Sequence, residues 1–551
     1  MRINNSSKIP AGSSSVSVFT SAIGHLAGVD TWHFVSYDQL SRDLLPDSED
    51  IGLIFIETSW KANQLPYHKQ KLALLLSNQR HFALEMQDAG YPVRYVFSDK
   101  EYGEVLGELS EELGKITATK PAELNLRRSL QPLVDDGRLE VLEHRGWLTT
   151  TDDFLKSAGQ NPPWRMDKFY RYIRKHYSIM LEDDGKPVGG KWSLDDENRL
   201  PWDGAVDLPE ILAFEPDDIT KEVIEMVEEK FAHHPGKIVS ENLPASAGDA
   251  KRLWEWAKAS VMYYFGPYED AMTQEHRTLF HTTMSSLVNL GRIMPHTLVS
   301  DALALDIPLN SKEGFVRQII GWREFVHHVH ELTDGFATDS TPVKARPAAG
   351  WKGEWPAAKI TPNVLENSYG LPPTFWGEKS GMLCLDTAIS DVVDTGYAHH
   401  IPRLMVLANI GNLLGIHPRE LTDWFWAMFT DAYEWVVEPN VLAMGTYAVG
   451  EVMTTKPYVS GTPYIKKMGD YCGDCSLHFK KSCPISDMYW NFLEENQDHF
   501  RGNHRMAMPM RTLAKRTQQA KDTAKEVTHY VRQQMARGEI LDPGILQAIK
   551  S

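Results

Sequence analysis

The stretch EGFVRQIIGWREFVHHVH, residues 313–330, lies in a region that turns almost wholly helical after Pro244. Taken alone it says little. Trp322-Arg323-Glu324 is a tripeptide that any surface helix can carry, and the histidines of HHVH, residues 327–330, are a weak metal-site candidate. Its meaning comes from what surrounds it.

Residues 1–28 are polar and Ser-rich and predict a loose arm. From Thr31 to about Glu143, short apolar runs alternate with helical stretches, as in WHFVSYDQL, IGLIFIET, LALLLSNQRHFALEMQDAG, YPVRYVF and LEVLEH. That alternation predicts a Rossmann-like parallel α/β domain over 29–150. Ligands of such a sheet bind beyond the C-terminal ends of its strands. Asp38, Gln39 and Glu57 follow the first two strand candidates there, although ordinary loop polarity accounts for them equally. Residues 151–243, rich in charge, Pro and Gly, read as a long connector with some helix, and 244–551 as a large all-α domain. The connector's basic-aromatic run, Trp164-Arg165 to Arg174-Lys175, and the later Arg501, His504, Arg505 and Arg511 are candidate phosphate contacts. A solvated charged face is the other reading.

The chain has four cysteines, and three of them fall in YCGDCSLHFKKSCP, residues 471–484. The spacing is Cys384, then Cys472-x2-Cys475-x7-Cys483, with Pro484 next. Four unrelated thiols are one reading; otherwise a C-x2-C pair places two thiolates on one metal, and the other two complete either tetrahedral zinc or a [4Fe–4S] cluster. Either one would staple the tail to the helix carrying Cys384.

Composition narrows the class. A chain of 551 residues holds two or three domains. A net charge of −17 argues against coating nucleic acid with the whole surface but leaves room for a local basic groove. No apolar window of about 20 residues exists to span a membrane. The N-terminus lacks the pattern of a signal peptide, and four cysteines in so long a chain make no secreted disulfide framework. The expectation is a cytoplasmic protein with reduced thiols. Sixteen tryptophans and twenty tyrosines fit a large helical core, or stacking and electron transfer.

With FGPYEDAM…LFHTTMSSLVNLGRI upstream and TGYAHHIPRLMVLANIGNLLGIHPRELTDWFWAMFTDAYEWVVEPN downstream, the opening stretch resembles the WRE-containing helix of photolyases and cryptochromes. The resemblance runs from about Asp38 to the C-terminus and takes in DQL, YHKQK and the four cysteines. It is specifically similar to the iron–sulfur bacterial cryptochromes and photolyases, the prokaryotic (6-4) group.

The resemblance implies FAD in the helical domain, with its diphosphate at Thr282, Thr283, Ser285 and Ser286. Arg323 and Gln318 would lie beside the flavin, Trp322 would line the lesion pocket, and Arg403 and Asp431 would pair beneath the ring. His399-His400 matches the His-His of (6-4) enzymes. His400, on a face with Arg403 and Leu404, is the favoured proton donor and His399 its neighbour. Helical periodicity sets Trp424, Met428, Asp431 and Trp435 on one stripe. Trp376, Trp424 and Tyr433 are the implied electron-transfer residues, although Tyr433 points away from Trp424 on an ideal helix. The position facing flavin N5 falls near Val437, where repair enzymes carry Asn or an acid; Glu438 adjoins it and could substitute. The implied cofactors are FAD, a [4Fe–4S] cluster at Cys384, Cys472, Cys475 and Cys483, and a 6,7-dimethyl-8-ribityllumazine antenna near Asp38, Gln39 and Glu57. The implied activity is light-driven repair of (6-4) photoproducts in UV-damaged DNA, by a monomer. A light-sensing cryptochrome without repair, a dark iron–sulfur nucleic-acid-binding module and a dark flavin oxidoreductase are the alternatives.

Overall fold

The computed structural model describes residues 17–24, 29–48, 50–336 and 361–551. Five strands, β1 (Trp32–Phe34), β2 (Gly52–Thr58), β3 (Val93–Ser98), β4 (Ile116–Thr119) and β5 (Leu139–Leu142), form one sheet among the described residues, in the order β3-β2-β1-β4-β5. Every pairing is parallel. Parallel neighbours need crossovers, and the helices Lys69–Asp88, Tyr102–Leu113 and Leu124–Asp135 supply them. Strands β1 and β2 are buried almost end to end, which is why they read as apolar runs rather than as alternation. The strand order reverses between β1 and β4, where a doubly wound sheet opens a crevice.

The N-terminal segment differs from the loose arm expected of it. Val18–Ala22 is a short helix, and Phe19, fully buried, packs edge-on against Tyr95. Residues 1–16 and 25–28 of that arm lie outside the described residues.

Beyond β5 the chain is helical, and its packing ignores the boundaries read from composition. The connector helix Met166–His176 lies against the 309–333 helix and shares a core with the α/β domain. Its basic run does not face outward as a whole. Arg174 is fully buried and donates to the carbonyls of Ile179, Met180 and Trp192, so it folds the connector rather than meeting phosphate. A second core combines Leu72 and Leu76 of the helix Lys69–Asp88 with much of the helical region, including the tail helices Ile485–Glu495 and Gln518–Ala536. No helix among the described residues is long and apolar enough to cross a membrane.

Among the described residues three segments are π-helical: Arg317–Arg323, Pro402–Ala408 and Glu438–Gly445. A π turn inserts a residue, re-aims the side chains around it, and is rare enough to mark functional sites. All three border one cavity.

Candidate active site

That cavity has a volume of about 910 Å³. One wall is acidic (Asp167, Asp195, Asp196, Glu269 and Asp270), and Arg199, Arg317, Lys456 and Arg505 stand among or opposite these groups. Its inner end is formed by Arg403, Phe429, Ala432 and Val437.

Arg403 reaches this place because the helix Leu383–Thr395 stops at Gly396. That residue adopts φ +68°, and a Cβ on it would press on Thr430 at 2.9 Å. The chain then re-enters helix and turns the Arg403 side chain inward. Its guanidinium donates to Asp431 Oδ1 at 2.9 Å and Oδ2 at 3.0 Å, the bidentate geometry that suits arginine to carboxylates. A third donor, Nε, reaches the Ala398 carbonyl at 2.6 Å, and the group lies 4.2 Å above the Phe429 ring. Ser285 donates to Asp431 Oδ2 at 2.6 Å. Burial pushes the Asp431 carboxyl up, but Arg403 and Ser285 outweigh it and hold it below the usual range.

The two adjacent histidines have different surroundings, as consecutive helical residues must. His399 is buried and stacked on His281, with ring centroids 4.2 Å apart. Burial drives its pKa well below the ordinary value, and it is neutral. His400 has 43% of its side chain exposed, lines the cavity, and sets Nε2 3.8 Å from Asp270 Oδ1. His400 can therefore reach a ligand in the cavity; His399 positions it from behind. His281 carried no signal in the sequence, because its contact to His399 is made only in the fold. Gln318 also lines the cavity, and its amide donates to Glu269 Oε1 at 2.6 Å.

The four cysteines meet. Cys384, at the start of the helix Leu383–Thr395, faces Cys472, Cys475 and Cys483 around one small hollow walled by Met382, Ile465, Leu477 and Ile485. Burial and then the neighbouring thiols raise the Cys384 pKa, and Cys472 is pushed up to about 11 by the same causes.

Comparison with known proteins adds to this geometry. The family described as deoxyribodipyrimidine photo-lyase-related protein matches residues 33–243. A protein of Agrobacterium fabrum (strain C58 / ATCC 33970) named (6-4) photolyase is 32% identical over 500 residues, covering 87% of this chain and 94% of that protein. The chain belongs to the photolyase family. The crystal structure of a bacterial class III photolyase from Agrobacterium tumefaciens shares the fold, with a TM-score of 0.53 at 14% identity over 93% of this chain and 99% of that one. An uncharacterized protein of Acanthamoeba polyphaga mimivirus matches 98 residues at 34% identity, 18% of this chain and 76% of that protein.

Within this photolyase fold several expected residues lie elsewhere. Trp322 lines the cavity, whereas Arg323 does not reach it. The Arg323 guanidinium sits 4.2 Å from the Trp147 ring and 5.3 Å from that of Trp435, and donates to Glu324 at 3.0 Å. Glu324 in turn accepts from Leu148 N, Thr149 N and Thr149 Oγ1, so Arg323-Glu324 fastens the helix to the end of the α/β domain. The HHVH histidines are core as well: His327 stacks on Trp147 at 3.5 Å, and His328 bonds Thr149. His330 is fully buried.

The Thr282–Ser286 run opens a helix of only five residues, Ser285–Asn289. Thr283, at φ +55°, and Ser286 line a second hollow with Gln70, Arg277 and Tyr397, while Thr282 is buried but not part of that lining. Arg277 is the cation there that the sequence reading missed. Val437 does line the large cavity, and Glu438 cannot replace it, because both its oxygens are held by Arg419 at 2.9 and 3.1 Å. Asn440, three positions beyond Val437, also lines the cavity and offers an amide there.

The expected stripe from Trp424 to Trp435 does not form. The helix Pro418–Met428 ends at Phe429, and a new one begins at Glu434. Trp424 donates its indole N–H to the Phe375 carbonyl at 2.8 Å, which sets it beside Trp376. Tyr433 departs from that pair and stacks on Tyr37 in the crevice beyond β1. Tyr37, Lys61, Tyr102 and Glu123 line this crevice, with Glu57 and Lys71. Glu57 is held by Arg80 and Tyr95, and Gln39 donates to the Thr119 and Lys120 carbonyls, so Gln39 clamps the sheet edge. Asp38 lies beside it, its pKa pushed up to about 6 by burial. Sequence reading missed Lys61 and Glu123, which pair at 2.7 Å, because only the fold brings them together.

Proposed function

We propose that this photolyase repairs pyrimidine–pyrimidone (6-4) photoproducts in UV-damaged DNA, using light. The carrying observation is the single cavity in which Trp322, His400 and the bidentate Arg403–Asp431 pair meet. Such a pocket accepts a flipped dinucleotide rather than an intact duplex. The relative named (6-4) photolyase, matched over 94% of its length, supports the same reading.

FAD fits the residues present. Arg403–Asp431 would hold the ring end, Ser285 would fix Asp431, and Thr283 and Ser286 with Arg277 would receive the diphosphate. Thr282 and Gln318 would back these contacts. When bound and reduced, FAD supplies the light-excited electron. The chain's own part is positional and acid–base. His400 would deliver a proton from the cavity wall, where its Nε2 stands 3.8 Å from Asp270 Oδ1, and His399, neutral and stacked on His281, would fix the backbone from which His400 projects. Trp322 and Val437 exclude water from the inner end. Trp424, whose indole bonds the carbonyl preceding Trp376, and Trp376 would be the electron-transfer residues, while Tyr433 faces the antenna crevice.

The four thiols fit a [4Fe–4S] cluster. Their hollow holds no carboxylate, and Lys466 and Lys550 lie near Cys472 and Cys483. The crevice between β1 and β4, with Asp38, Gln39 and Glu57 at its edge, is our site for the 6,7-dimethyl-8-ribityllumazine antenna. Arg505 at the cavity, with the exposed Arg501, His504 and Arg511 near it in sequence, would meet the DNA backbone. We take the protein to act as a cytoplasmic monomer.

Blue-light illumination of oligonucleotides carrying either a (6-4) or a cyclobutane lesion tests the reading. Restoration of the (6-4) lesion alone is expected. Tight flavin binding with neither lesion restored would turn the assignment to light sensing.

A further inference from the structure

His281, His399 and His400 place ring nitrogens within 4.8 Å of one another. Two of the three are buried, and each has a ring nitrogen without a partner, Nε2 of His281 and Nδ1 of His399. A buried polar nitrogen left unpaired is destabilising, so two together ask for an occupant. The Glu269 backbone also bears on the His281 ring. Imidazoles that ligate metals commonly have one N–H given to a carbonyl and the other nitrogen presented to the ion. Burial keeps His281 and His399 neutral, the form that binds metal. His400 borders the large cavity, which gives an ion its way in.

We propose that His281, His399 and His400 form a three-imidazole site for a zinc-class transition ion at the edge of the cavity. Ligands at about 2.0–2.1 Å from a tetrahedral ion stand about 3.3 Å apart. Closing the present separation needs side-chain rotation of His400, whose ring is half exposed, and rotation of His281 and His399 out of their stack, because nearly parallel rings 4.2 Å apart point their lone pairs alongside one another rather than at one ion. The donor set is all nitrogen, which favours zinc, nickel or copper over magnesium. Water or a cavity ligand takes the fourth position. Because metal and proton compete for the same lone pairs, occupancy and proton donation by His400 exclude each other, and the ion acts as a brake on the site.

The experiment is zinc titration by calorimetry of tag-free holoprotein in the dark without DNA, with zinc K-edge absorption on the one-equivalent complex. It does not depend on the repair reading, since neither light nor lesion enters. The expected result is one equivalent bound through nitrogen ligands, with affinity falling at least tenfold in His281→Phe and in His400→Gln. The first variant keeps a ring to stack on His399; the second alters an exposed side chain and decides the matter if the first fails to fold. Sulfur ligation, absence of a stoichiometric site, or parent affinity in His400→Gln would overturn the proposal.

Discussion

Arg403 and Asp431 carry the inner end of the cavity, and their energetics can be stated. Asp431 has 7% of its side chain exposed and Arg403 21%, so removing the arginine leaves a buried carboxylate uncompensated. Arg403→Ala should lower stability by about 3 kcal/mol, the low end of the range for broken buried pairs because Arg403 is partly wet. Thermal melts and flavin absorbance check this; unchanged melting and flavin content would remove the pair from the account. This pair was legible in the sequence because Arg403 and Asp431 stand in long matching segments. Arg323 stands in an equally recognisable motif, yet its direction depends on the π turn before it and on Trp147 from another domain. Neither is visible in a tripeptide.

Elements are held together by a few buried polar anchors. Glu324 accepts three hydrogen bonds from Leu148 and Thr149 and one from Arg323, and no other group replaces it there. Glu324→Ala should cost about 3 kcal/mol by stranding those buried donors, with the loss read from urea denaturation. A value near zero would mean that the strap is not what joins the α/β domain to the helix. The C-terminal tail depends on the thiols instead. Cys483→Ala should reduce the yield of folded protein and expose the Gln518–Ala536 helix to protease, because a metal centre bound only by the folded state adds its binding energy to folding. Iron and acid-labile sulfide should fall together in that variant, and one zinc with no iron in the parent would contradict the cluster. The cysteine spacing made this element readable. The break between Pro418–Met428 and Glu434–Val437 was not, since an apolar run reads as one helix whether or not Thr430–Tyr433 bend to deliver Asp431.

Across the whole molecule, buried neutral histidines set the acid limit. His33, His68, His144, His234, His328 and His330 have pKa values lowered to about 4 by burial, and His281, His327 and His399 lie well below their ordinary value. Unfolded imidazoles take up protons near pH 6.5 and these do not, so the unfolded state holds more protons between pH 6.5 and 4. Stability must fall as pH drops through that window, each group contributing up to about 3 kcal/mol. Denaturation midpoints at pH 7, 6 and 5 should decline steadily, and a flat profile would contradict the burial. The two-part architecture was readable from alternation in 29–150 and helical pattern after 244. Its seam was not, because composition reports local propensity, whereas the connector and the Leu309–Thr333 stretch share a core with the sheet.

We propose that the cavity with His400 at its wall repairs (6-4) lesions by light and by proton delivery. The most direct test is one assay, blue-light repair of a duplex with a single (6-4) photoproduct, run on parent and His400→Ala at matched flavin content and saturating protein. The account predicts restored bases with the parent and a loss of about 10²–10⁴ in repair rate in the variant, with flavin photoreduction and damaged-DNA binding retained. Repair by His400→Ala at the parent rate would contradict it.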